Sequence, residues 1–175
     1  MKVGIAGLGL IGGSLAKAYN RSGAVVYGYD GNRVVQDFAK LQGVLEGDLD
    51  ENTVKECDLL LVALYPQVSI EYLKHIAPYI PPNALVMDCC GVKREICEVG
   101  FALADEYGFT YVGGHPMAGT EFSGIQHALV NMFHGAHYIL TPNDQSCPEH
   151  VELMERLAVH IGCANIVKTT PENHD

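Results

Sequence analysis

Short runs rich in Val, Ile and Leu recur along the chain at Lys2–Ala6, Ala24–Tyr29, Leu59–Leu64, Ala84–Asp88, Thr110–Gly113, His137–Thr141 and Asn165–Lys168. They are nearly continuous rather than alternating, the pattern of strands buried on both faces. Between them lie segments with helical spacing of apolar positions: Ile11–Asn20, Arg33–Gln42, Val68–Ile80, Lys93–Tyr107 and Pro148–His160. Gly23, Gly43, Gly108 and Gly162 follow four of these and offer left-handed caps, while Pro81-Pro82 stops the fifth. Strand and helix alternating in this way predict parallel pairing through right-handed crossovers. The expected architecture is an open, doubly wound α/β sheet with helices on both faces and a ligand crevice at the carboxyl ends of its strands.

Composition narrows the class. The 175 residues are 48% apolar and 18% charged, enough for one domain with a sizeable core and too apolar for disorder. Eleven Lys and Arg against 21 Asp and Glu leave a net charge of −10 with no basic cluster, which argues against nucleic acid and anionic membrane as partners. No apolar stretch reaches the ~18 residues of a spanning helix. The opening MKVGIAGLGLIGG reads as a strand and turn without a signal-peptide pattern, so a cytoplasmic protein is expected. The six cysteines are expected to be free thiols, because none falls in a C-x-x-C pair and no export signal precedes them. His134 and His137 have no Cys or carboxylate at ligand spacing, so no metal site is expected.

Gly7-Leu8-Gly9-Leu10-Ile11-Gly12 leaves the first strand and opens a helix, the context in which G-x-G-x-x-G signals a dinucleotide. Gly7 permits the turn, Gly9 lets backbone approach a pyrophosphate, and Gly12 allows close packing of helix on strand. The phosphates are expected on free N–H groups at the positive end of the helix, with Ser14 either adding a hydroxyl or solvated. Asp30 ends the second strand 18 residues beyond Gly12, placed to accept both adenosine ribose hydroxyls and to favour NAD over NADP. Arg33, three residues on, either holds a 2′-phosphate or faces solvent. Leu64 and Tyr65, at the end of the third strand, and Gly91 complete the expected cofactor-binding residues, in a Rossmann-type fold.

The segment Gly113–Gly124, GGHPMAGTEFSG, leaves a strand and holds an ionisable His115 among small residues. Imidazole exchanges its proton near neutral pH and the glycines leave room for a substrate, so His115 is the expected catalytic base.

Together GLGLIGGSLAKA at 7–18, DCCGVK at 88–93, GGHPMAGTEFSG at 113–124, Tyr138–Pro142 and Thr170–Asp175 resemble the prephenate dehydrogenase family, which includes arogenate-using relatives. The resemblance implies NAD-dependent oxidative decarboxylation of prephenate to 4-hydroxyphenylpyruvate in tyrosine synthesis. It implies that His115 binds the C4 hydroxyl and accepts its proton, and that Gly119, Thr120 and Glu121 lie near the substrate. Two departures stand out. Gly91 occupies the place of a family serine that shares the hydroxyl contact, and Cys90 is a packing residue rather than a replacement. The family's C-terminal helical domain, for dimerisation and for gripping the substrate carboxylates, is absent beyond residues 170–175, where Thr170-Pro171-Glu172 announces a helix.

The expected division is therefore a nucleotide-binding domain over 1–169 and the start of the missing domain over 170–175. Lys93 is the one candidate cation for a dianionic substrate, unless it is simply solvated. A chain of this extent is expected to bind NAD, to turn over poorly alone, and to be monomeric where complete family members are homodimers. The alternatives are an NAD-binding module without turnover and a related arogenate or 3-hydroxy-acid dehydrogenase.

Overall fold

The apolar runs form one eight-stranded sheet in the computed structural model, which describes residues 1–120 and 122–175. The strands are β1 (Lys2–Ala6), β2 (Val25–Tyr29), β3 (Gly47–Asp48), β4 (Leu59–Val62), β5 (Leu85–Asp88), β6 (Thr110–Met117), β7 (His137–Thr141) and β8 (Asn165–Lys168). The helices are α1 (Leu10–Arg21), α2 (Arg33–Leu41), α3 (Pro66–Ile76), α4 (Arg94–Tyr107), α5 (Pro148–His160) and α6 (Pro171–His174). Spatial order is β3-β2-β1-β4-β5-β6-β7-β8, a Rossmann-type sheet extended at one edge.

All pairings are parallel except β6 with β7, where Gly113 to Met117 run antiparallel to Thr141 to His137. The exception has a local cause. Every parallel neighbour in the sheet is reached through a crossover, but among the described residues the segment between β6 and β7 holds only a short 3₁₀ turn at Ile125–His127. Without a helix to carry the chain back along the sheet, the strand returns beside its predecessor.

Alternate strand residues feed two cores. Val3, Ile5, Leu59, Leu61, Leu85, Met87 and Val112 face α1, α2 and α5, while Leu60, Val62, Val86 and Tyr111 face α3 and α4. Burying each such aliphatic side chain contributes roughly 1.5–3 kcal/mol, which fixes the helices against the two faces of the sheet. Chain direction across the sheet switches between β1 and β4, so the turns after these strands diverge and open a crevice.

The helix ends follow local chemistry. Asn32 caps α2 by accepting from the Val34 N–H at 3.0 Å, and Thr170 caps α6 by accepting from the Asn173 N–H at 3.1 Å. α4 has no side-chain cap of its own. Instead Asp175 folds back and its carboxylate accepts from the N–H groups of Lys93 and Arg94 at 2.9 and 3.0 Å. Residues 170–175 thus pack on α4.

Candidate active site

Glycine shapes the floor of the crevice. At Gly7, with φ +93°, a Cβ would lie 2.2 Å from the Ala63 carbonyl oxygen, and at Gly12 it would lie 1.7 Å from that of Gly7. Only glycine allows turn, strand and helix to meet this closely. A Cβ at Gly9 would meet nothing, because that face of the backbone is open. The first bond of α1 runs from the Gly13 N–H to the Gly9 carbonyl at 2.8 Å, leaving the preceding N–H groups free for an anion.

The crevice encloses about 500 Å³ and runs from Gly7, Gly9, Leu10, Ile11, Gly12 and Asp30, past Leu64 and Tyr65, to Cys90 and Gly91. Nine of the eleven expected cofactor residues line it, but Leu8 does not: its side chain is fully buried and its N–H donates to Asp30 Oδ2 at 2.9 Å. Leu8 therefore orients the carboxylate rather than meeting a ligand. Asp30 Oδ1 accepts from the Asn32 N–H at 2.9 Å, and buried Gln36 accepts from the Asp30 N–H at 3.2 Å. The acid is thus locked at the end of β2 with its carboxylate at the crevice.

Three side chains differ from expectation. Arg33 does not line the crevice: its Nε lies 3.1 Å from Asp37 and its Nη1 3.3 Å from Asp48, drawn there by two carboxylates. Ser14 is buried and accepts from the Leu129 N–H at 3.0 Å, fastening the segment after β6 onto α1 instead of contacting phosphate. Lys93 is neither solvated nor available to a substrate, because it is fully buried and paired with Asp88. An ammonium taken out of water needs such a partner.

His115 lies within β6, opposite Ile139 of β7, rather than on a loop beyond the strand. A Cβ at Gly91 would lie 4.0 Å from His115 Nε2, so the imidazole stands at the Gly91 end of the crevice. Its Nδ1 lies 2.8 Å from His174 Nε2, and His174 Nδ1 lies 2.8 Å from Asp175 Oδ1. Burial, followed by the neighbouring His174 and Lys93, pushes the His115 pKa below the ordinary 6.5, against the opposing pull of Asp88. The imidazole is therefore neutral and able to accept a proton at physiological pH.

Beneath it, Asp88 accepts from the Tyr111 hydroxyl at 2.5 Å and from the N–H groups of Cys90 at 3.0 Å and Gly114 at 3.3 Å. Burial drives the Tyr111 pKa well upward, so the phenol remains a donor. This network went unnoticed in the sequence, although charged residues closing an apolar strand and opening a helix were its visible trace. Of the expected substrate residues, Gly119 packs beside Leu10, while exposed Thr120 accepts from the Phe122 N–H at 3.2 Å and is outside the crevice. Glu121 lies outside the described residues.

A glycine turn at a topological switch, a free helix N-terminus and an acid closing β2 define a dinucleotide-binding α/β domain. Residues 15–167 match the family described as prephenate dehydrogenase, nucleotide-binding domain, and the chain belongs to that family. A prephenate dehydrogenase of Bacillus subtilis is 33% identical over 176 residues, covering 98% of this chain and 47% of that protein. The crystal structure of Synechocystis arogenate dehydrogenase matches with TM-score 0.91 at 30% identity, covering 99% of this chain and 61% of that one. Prephenate dehydrogenase from Aquifex aeolicus, in a structure with hydroxyphenyl propionate and NAD+, matches with TM-score 0.83 at 31% identity, covering 99% and 61% respectively. The chain spans about half the length of the curated relatives it matches.

Proposed function

We propose that this chain is the cofactor-binding half of an NAD-dependent prephenate dehydrogenase and carries its catalytic base, His115. The observation that carries the reading is His115 Nε2 facing Gly91, at the end of the glycine-floored crevice farthest from Asp30. An adenosine ribose at Asp30 and a pyrophosphate over Gly9 would direct the nicotinamide toward that end. The glycines, the free N–H groups of α1 and Asp30 fit such a cofactor, which supplies the hydride acceptor.

In this reading the His115 Nε2 lone pair receives the C4 hydroxyl proton of prephenate as the C4 hydride departs. The ring carboxylate then leaves as carbon dioxide, its bonding pair aromatises the ring, and His115 returns the proton to the phenolic oxygen. The product is 4-hydroxyphenylpyruvate. Asp30, together with the diversion of Arg33 onto Asp37 and Asp48, supports NAD over NADP.

Substrate recognition depends on more than this crevice, since no Lys or Arg is found among its described lining residues. A dianion held only here would lack the remote binding energy that aligns it with the cofactor. The chain alone is expected to bind NAD and turn over poorly. The likeness to an arogenate dehydrogenase favours assaying arogenate beside prephenate.

The test is His115→Asn in a form that turns over prephenate. NAD affinity should persist and turnover should fall by roughly 10²–10⁴-fold, the range of a general base. Turnover near that of the unsubstituted protein would remove His115 from the chemistry.

A further inference from the structure

We propose that His174 and Asp175 are positioning residues that hold His115 in its Nδ1–H tautomer, leaving Nε2 as the basic nitrogen facing the crevice. The inference deepens the reading of His115 as the base and rests on it for its catalytic meaning. Its structural content stands on three hydrogen-bonded groups.

The argument starts at Asp175. Its Oδ1 accepts from the Lys93 N–H and its Oδ2 from the Arg94 N–H, at the positive end of α4. Burial raises this carboxyl's pKa, but the bonds from His174, Arg94 and Lys93 outweigh it and bring the pKa down to about 2. Near neutral pH the group is a carboxylate, which only accepts. The 2.8 Å contact from His174 Nδ1 to Oδ1 must therefore be an N–H donating to oxygen.

A neutral imidazole has one N–H. With Nδ1 of His174 protonated, its Nε2 is an acceptor, and the 2.8 Å contact to His115 requires that His115 Nδ1 donates. His115 Nε2 then carries the lone pair. The His174 side chain is only 6% exposed and its ring meets that of His115 edge-on at 63°, so water does not compete for the shared bond.

The other charged groups acting on His115 are Lys93 and Asp88, which are paired with each other and make no hydrogen bond to the ring. When Nε2 takes a proton, the Nδ1–H···Nε2 bond becomes charge-assisted, and Asp175 lies at the far end of the chain of donors. An alignment of this kind spares the base the tautomer exchange that a free imidazole undergoes.

The test reads the tautomer directly, by ¹⁵N–¹H correlation spectra of the imidazole rings in the 175-residue chain at about pH 8.5, above the ordinary imidazole range. His115 should show a protonated Nδ1 and a bare Nε2. His174→Leu should move His115 toward the Nε2–H tautomer, and Asp175→Asn should move it the same way. His174→Gln, whose amide oxygen can accept from Nδ1–H, should restore the original state. An Nε2–H tautomer in the unsubstituted chain, or a ratio unchanged by His174→Leu, would overturn the proposal.

Kinetics in a prephenate-active form separate the two readings. His174→Leu should lower kcat by roughly tenfold while leaving the Kd for NAD unchanged. Loss of turnover in His115→Asn alongside the wrong tautomer would sink the relay and spare the base. The expected tautomer with full turnover in His115→Asn would do the reverse.

Discussion

Lys93 and Asp88 form an ion pair in which neither side chain keeps any exposure to solvent. The pair joins the end of β5 to the start of α4, and through the Gly114 N–H it reaches the strand that bears His115. Removing one member of a buried pair strands the other charge, which costs about 3–5 kcal/mol. Lys93→Met should show a loss of that size in urea unfolding, and Lys93→Met combined with Asp88→Leu should recover much of it. A Lys93→Met chain as stable as the unsubstituted one would show that the pair is not what secures this end of the sheet.

On the proposed reading, Asp30 and the diversion of Arg33 set a cofactor preference that titration can measure. NAD should bind more tightly than NADP, and Asp30→Ala should narrow the difference. A tenfold preference for NADP, about 1.4 kcal/mol, would mean that Arg33 swings from Asp37 and Asp48 to a 2′-phosphate.

The glycines of the turn divide into two kinds. Gly12→Ala drives a carbon into the Gly7 carbonyl and should unfold or strongly destabilise the domain. Gly9→Ala meets no protein atom and should change stability by no more than about 1 kcal/mol, yet weaken NAD binding. Calorimetric binding paired with thermal melting distinguishes these outcomes, and equal destabilisation by both would refute the division.

Gly91 leaves room beside His115 Nε2, with 4.0 Å between that nitrogen and a Cβ. Gly91→Ser should place a hydroxyl where the sequence resemblance implies a serine. In a prephenate-active form, one added hydrogen bond to the reacting hydroxyl is worth roughly 1 kcal/mol, or several-fold in kcat. A lower kcat would show that Gly91 suits this chain for another reason.

The acid limb of the kcat/KM profile should lie below pH 6.5, the ordinary imidazole value, since burial, His174 and Lys93 depress the His115 pKa. The base works unprotonated, so activity is present above its pKa and disappears as pH falls through it. Asp175 titrates lower still. Its folded pKa of about 2 lies below the usual 3.8, so its contribution to docking residues 170–175 is complete above 3.8 and lost as pH falls toward 2. Backbone amide signals of Lys93 and Arg94 should report that release, and their constancy down to pH 2 would contradict it.

Seven of the eight strands and the glycine turn were legible because their signals are local: apolar runs, helical spacing and caps. β3 escaped notice since Gly47–Asp48 is too short to make a run. α3 begins at Pro66 rather than Val68, because proline suits the first helical position. What stayed hidden was pairing at a distance. His115 meets His174 across 59 positions and Ser14 meets Leu129 across 115, and no periodicity encodes such contacts. Lys93 looked like a solvated helix start because burial of a charge depends on a partner that only the folded sheet supplies.

β6 has one further consequence. Its ladder with β7 continues through Met117, so the backbone of His115 belongs to the sheet and not to a moving loop. The entropy lost in fixing that backbone is lost once, when the chain folds, and need not be lost again at each encounter with a ligand. Amide exchange at residues 113–117 should then follow the slow opening of the whole sheet, making the strand that bears His115 among the last parts of the molecule to relax.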